Sequence, residues 1–152
     1  LGHGEQLLTG QRSNALGQRG RAELGLGHQP SGTSVNQEAC VGGLKQPLIV
    51  MASLEGCVFC RQARQSHLSP MHKAGTVIVQ VDMRSNQPVL DFAGKLTTHD
   101  QLTRQWKISI TPTLLFFGPG GKEVAERMEG AYLPDFYGPY LDERLAVGRK
   151  SL

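Results

Sequence analysis

Two cysteines, in the order Cys57-Val58-Phe59-Cys60, follow closely on an unbroken apolar run, Pro47-Leu48-Ile49-Val50-Met51-Ala52. No other junction in the chain restricts the fold as much. A run without polar alternation suits a strand buried on both faces, as in a sheet with helices on either side. Ser53-Leu54-Glu55-Gly56 ends the run, and Arg61 to His67, with Leu68 in phase, reads as a helix that the cysteine pair opens. Pro70 is expected to end or bend that helix. Cys57 then sits at a helix start, where free N–H groups and the positive end of the dipole favour a thiolate. It should be the more acidic and more exposed thiol. Cys60 lies about one turn on, in place to attack a mixed disulfide formed at Cys57.

The rest of the chain supplies a sheet around this strand. Thr76 to Val81 reads as a second buried strand, closed by Asp82. Asp91-Phe92-Ala93-Gly94-Lys95 looks like a turn or a small hairpin. Thr98 followed by Gln101 has capping-box spacing and precedes a helix carrying Leu102, Gln105 and Trp106. Leu114 to Phe117 is a third strand, Gly118-Pro119-Gly120-Gly121 a turn, and Glu123 to Met128 a fourth strand. Pro134 to Ala146 reads as an amphipathic helix with Phe136, Tyr140, Leu141 and Leu145 on one side. The order β-α-β-α-β-β-α begins with a parallel crossover unit and ends on an antiparallel pair. It specifies an α/β class with a central mixed β-sheet flanked by helices on both faces.

Composition divides the chain near residue 45. Ten of the nineteen glycines precede Lys45, and the first aromatic residue is Phe59. Residues 1–34 are therefore expected to be a disordered tail or a non-native extension, dispensable for folding. Residues 35–45 are read as a lead-in segment and 46–148 as the folded domain. The first residue is Leu1 rather than Met, which is read as a fragment, a processed end or an unusual start. The net charge is +3 and the basic residues are scattered, which argues against a nucleic-acid partner. No apolar run reaches the roughly 18 residues of a membrane span. Three cysteines are too few for a disulfide scaffold, and Cys40 is left over as an unpaired thiol.

C-x-x-C also occurs in zinc sites, which need four ligands. His67 and His72 are the nearby candidates, and the spacer between the pairs is too short for the usual finger. No metal and no cofactor is expected. His67 lies too far along the helix to pair with Cys57 and is read as a surface or satisfied residue. His99, in the first turn of the second helix, is read as exposed. Trp106 is placed in the core near the active face.

A second motif joins the first. Trp106-Lys107-Ile108-Ser109-Ile110-Thr111-Pro112-Thr113 leads into the strand Leu114-Leu115-Phe116-Phe117. Together with the strand and the C-x-x-C, this resembles the thioredoxin family over roughly Gln46 to Val147; Gly121-Lys122-Glu123 and Gly130 match its later turn and glycine. The resemblance implies a thioredoxin-like fold and a thiol–disulfide oxidoreductase with Cys57 and Cys60 as catalytic residues. It implies a cis bond at Pro112, a Thr111 backbone presented to an extended partner, and substrate contacts from Thr111, Pro112, Val58 and Phe59. The partners it implies are client protein disulfides and an upstream thiol reductant protein, with the chain a monomer. The closer likeness is to bacterial extracytoplasmic proteins of the sulfur-oxidation type, with residues 84–97 as their longer insert. That implies a periplasmic or extracytoplasmic location; no secretory signal is visible, and a cytoplasmic one stays open.

The chain also departs from the family pattern. Met51 stands where thioredoxin has a buried Asp, six residues before the first cysteine, so the usual proton acceptor for Cys60 is missing; Glu55 reads as a solvated loop acid. Val58-Phe59 replaces Gly-Pro and lacks the His of strong oxidants, so a reducing protein is expected. Two other functions compete: a binding module of the same fold whose thiols turn over poorly, and a copper carrier. No His follows His99, which counts against the carrier.

Overall fold

The computed structural model describes residues 46–152. The expectations for the tail, the lead-in segment and Cys40 lie outside the described residues. Four strands form the main sheet in the order β2-β1-β5-β6. They are β1 (Leu48–Ser53), β2 (Ile78–Asp82), β5 (Thr113–Phe117) and β6 (Glu123–Glu129). β1 runs parallel to β2 and antiparallel to β5, and β5 is antiparallel to β6. The insert holds a separate hairpin of β3 (Pro88–Leu90) and β4 (Leu96–Thr98). Asp91 shapes its turn by accepting from the Ala93 and Lys95 amides.

The pleat explains why β1 is apolar at every position before its last, Ser53. Ile49 and Met51 face one core, with Leu114 and Phe116 of β5. Leu48, Val50 and Ala52 face a second, with Leu115 and Phe117. α1 (Val58–Ala63) and α4 (Pro134–Lys150) cover the first core, and α3 (His99–Gln105) and the hairpin cover the second. The sheet is thus a mixed one with helices on both faces. At roughly 1.5–3 kcal/mol for each large apolar side chain buried, these two cores are the main stabilising term.

α1 does not stop before Pro70. It runs through a π-helical turn (Arg64–Leu68) into α2 (Ser69–Lys73). Within that turn the Ser69 amide donates to the Arg64 carbonyl, five residues back. Proline has no N–H, and in an α-helix its ring strikes the carbonyl four residues back. Widening the turn relieves that clash, so the chain keeps its helix across Pro70.

The last helix is longer than its periodicity suggested, and it is turned. Tyr137, Leu141 and Leu145 are buried, whereas Phe136 and Tyr140 are exposed. The sequence offers two apolar stripes at i, i+4 spacing, and the sheet takes the one containing Tyr137. Burial holds the Tyr137 phenol well above its ordinary pKa, so it stays neutral.

Gly121 shows how tightly the second core closes. Its φ is +77°, and a Cβ there would lie 2.5 Å from the Phe92 ring. Phe92 in turn packs on Phe117, with ring centroids 4.8 Å apart. Gly121→Ala is expected to lower stability by about 1–3 kcal/mol through left-handed strain and overpacking. Urea unfolding checks this; an unchanged midpoint would show that the turn relaxes freely.

Candidate active site

Cys57 is the N-cap of α1, with extended backbone, and Gly56 turns the chain before it with φ +77°. Glycine is suited to that left-handed position. The Cys57 sulfur accepts from the Cys60 amide at 3.1 Å. A sulfur thus takes the place that a Ser or Asp oxygen holds in an ordinary cap. Cys57 and Cys60 are joined in a disulfide, with their Cα atoms 5.2 Å apart. Cys57 is half-buried; Cys60 is 1% exposed, among apolar residues that include Met51, Ala63 and Leu114. No Asp or Glu is buried among the described residues, and Glu55 is exposed.

The second motif arrives from fifty-four residues away. α3 ends at Trp106 in a Schellman pattern, in which Ile108 N–H donates to Thr103 and Lys107 N–H to Arg104. Lys107 takes the left-handed position, φ +56°, that glycine usually fills. Ile108 is thereby buried and the chain turns back toward β5. Trp106 is half-buried against the second core, 5.2 Å from Phe117. The Thr111–Pro112 bond is cis. Thr111 Oγ1 donates to the Cys57 sulfur at 3.6 Å. Pro112 is buried, and its carbonyl accepts from Gly130 N–H at 2.8 Å.

The four predicted contact residues therefore meet around Cys57. Val58 and Phe59 are exposed, Thr111 touches the sulfur, and Pro112 shares a small cleft with Phe59, His67, Tyr132 and Tyr137. His67 stacks on Tyr137, centroids 4.8 Å apart. Tyr132 and Tyr137 were missed by sequence reasoning. The signal for Tyr132 was position, just after Gly130, and that for Tyr137 was its i, i+4 spacing with Leu141.

On its other side Cys57 borders a polar groove that includes Glu55, Arg61, Arg64, Gln80 and Asp82. Arg64 does not reach along the helix toward the sulfur. Its guanidinium donates to Gln80 at 3.0 Å and Ser53 at 3.4 Å, and Gln80 donates to Asp82. Burial lowers the Arg64 pKa, partly offset by Asp82. His99 corrects an expectation: it is 2% exposed rather than on the surface. Its Nδ1 accepts from the Asp82 amide at 3.1 Å, and a buried polar ring needs such partners. No His, Cys, Asp and Glu grouping suited to a metal occurs among the described residues.

Thr111→Val keeps the shape and removes the hydroxyl. A hydrogen bond contributes about 0.5–1.5 kcal/mol net. Reduced Thr111→Val protein should therefore be alkylated at Cys57 roughly two- to tenfold more slowly at neutral pH. An unchanged alkylation rate would show that the hydroxyl does not stabilise the thiolate.

The model of the thioredoxin-like domain matches residues 36–144. No curated protein matches the chain. Among solved structures, a thioredoxin-fold protein from Helicobacter pylori is similar with TM-score 0.51 and 16% identity, covering 88% of this chain and 94% of its own. An uncharacterised thioredoxin-like protein from Clostridium perfringens gives 0.48 and 19%, covering 76% and 81%. The periplasmic thioredoxin SoxS from Paracoccus pantotrophus gives 0.43 and 17%, covering 68% and 98%. No helix among the described residues is long and apolar enough to cross a membrane.

Proposed function

The chain belongs to the thioredoxin-like family, and on that premise we propose that it is a thiol–disulfide oxidoreductase that reduces protein disulfides at Cys57 and Cys60. One observation carries the reading: a half-buried helix-cap sulfur, Cys57, receives hydrogen bonds from Cys60 N–H and Thr111. Both donors favour the thiolate that attacks a disulfide.

The Cys57 thiolate attacks one sulfur of the client disulfide, and the other leaves as a thiolate and takes a proton. Cys60 then loses its proton, attacks the Cys57 sulfur and expels the second client thiolate. Two electrons pass to the client, which leaves as a dithiol, and the Cys57–Cys60 disulfide remains. An upstream thiol protein returns the pair to the dithiol. Val58, Phe59, Thr111 and Pro112 contact the client, with Thr111 offering its backbone to an extended segment. The chain acts as a monomer without a cofactor. Its place is extracytoplasmic, in the sulfur-oxidation-type subgroup, a reading that rests on the sequence resemblance alone.

The test is reduction of insulin disulfides by the pre-reduced protein. Turnover supports the enzyme. Binding of a disulfide client without turnover would favour a recognition module of the same fold.

A further inference from the structure

The two flanks of Cys57 differ in character. The groove toward Arg64 and Asp82 is polar, whereas the flank beyond Pro112 is apolar. Phe59 is 57% exposed, Leu133 70%, Phe136 53% and Tyr140 41%. Single exposed apolar residues are ordinary, but a contiguous group marks a binding surface. Phe59 and Tyr140 are joined through Tyr132. Phe59 and Tyr132 line one cleft with Pro112, and Tyr132 lies 5.3 Å from Tyr140 between ring centroids. Ile110, half exposed, reaches over Gly130, where a Cβ would stand 3.3 Å from its Cδ1. Phe136 stands one helical turn before Tyr140 on α4, so the surface leads from the redox dipeptide through Tyr132 onto the first turns of α4.

We infer that this strip on α4 docks the segment of a client next to its disulfide, and that the segment is extended and carries large apolar side chains with basic rather than acidic neighbours. The inference rests on the proposed reductase reading and adds the client's chemistry. The occupant follows from three observations. The strip is continuous with Cys57, where a client sulfur must bond, so whatever covers it belongs to the covalently held chain. The protein's own residues 1–45 contain no aromatic residue and match the strip poorly. Asp135 is the one charged residue between Tyr132 and Tyr140, is exposed, and forms no ion pair among the described residues, so the strip carries negative charge.

The probe is a cysteine-free extended peptide of phenylalanine and lysine, compared with one in which serine replaces phenylalanine. Amide chemical-shift mapping on the wild-type protein should place the first peptide on Ile110, Tyr132, Leu133 and Phe136. The combined Leu133→Ser, Phe136→Ser and Tyr140→Ser variant should bind it about tenfold more weakly. Equal binding of the serine peptide, or shifts confined to the Arg64 groove, would overturn the inference. So would a dimer in sedimentation that the variant abolishes, since a second copy would then cover the strip. Reduction of glutathione disulfide by the wild type is measured in parallel. Its failure would count against the reductase reading, while peptide shifts on the strip would still support the docking surface.

Discussion

Cys60→Ser protein, mixed in its reduced form with a disulfide client, is expected to accumulate as a covalent mixed disulfide, and Cys57→Ser protein to form none and lose turnover. The two sulfurs sit in unlike places. Cys57 is reached from outside and is capped by the Cys60 amide and the Thr111 hydroxyl. Cys60 is sealed among apolar side chains at 1% exposure. A client sulfur can meet only Cys57, and Cys60 can attack only a bond already formed there. Serine at position 60 removes the resolving step and leaves the mixed disulfide stranded. It also buries a hydroxyl among apolar groups, at about 1–3 kcal/mol if unpaired, so thermal melts of both variants accompany the trapping. Non-reducing gels and mass spectrometry identify the adduct. Trapping by Cys57→Ser in place of Cys60→Ser would reverse the assignment.

Equilibration of the pair against a glutathione buffer is expected to give a potential nearer about −270 mV than about −120 mV. At about 30 mV per tenfold in this two-electron couple, that range spans roughly five orders of magnitude in equilibrium constant. A strongly oxidising pair needs a reduced form stabilised by charge or several donors at the nucleophilic sulfur. Here the Cys57 sulfur has one amide and one hydroxyl. Val58 and Phe59 bring no polar group, and Arg64 is committed to Gln80 and Ser53. The protein should therefore pass electrons to clients and donate disulfides poorly. A measured potential above about −150 mV would make disulfide formation the better reading.

The legibility of the site depended on how local each feature was. The N-cap of α3 is an example: Thr98 accepts from the Gln101 amide at 3.2 Å, as four consecutive residues indicate, although the Gln101 side chain accepts from the Thr97 hydroxyl and does not complete a capping box. Cys57 at a helix start was equally local. The resemblance brought Thr111 and Pro112 to the list, but periodicity and spacing gave no means of seeing that the Thr111 hydroxyl would reach the Cys57 sulfur. His99 was misread because a polar residue in a first helical turn is usually solvated, and its partner is the backbone of another element, β2. Tyr132 carried no pattern of its own, and Tyr137 stood on one of two equal apolar stripes of α4.

By itself the sequence determined the order of the four main-sheet strands, the doubly buried β1 and the cysteine pair at the helix start. Each follows from residues within a few positions of one another, where steric preference, hydrogen-bond valence and apolar spacing act directly. Only the tertiary structure decided which apolar stripe of α4 is buried, since Phe136/Tyr140 and Tyr137/Leu141 repeat at the same interval and differ only in what they meet. It also decided that Arg64 turns into the polar network and that His99 is enclosed. Burial and hydrogen bonding between distant segments depend on how the sheet brings them together. Local preference is worth tenths of a kcal/mol for each residue, whereas burying one large apolar side chain is worth about 1.5–3 kcal/mol, so packing overrides it.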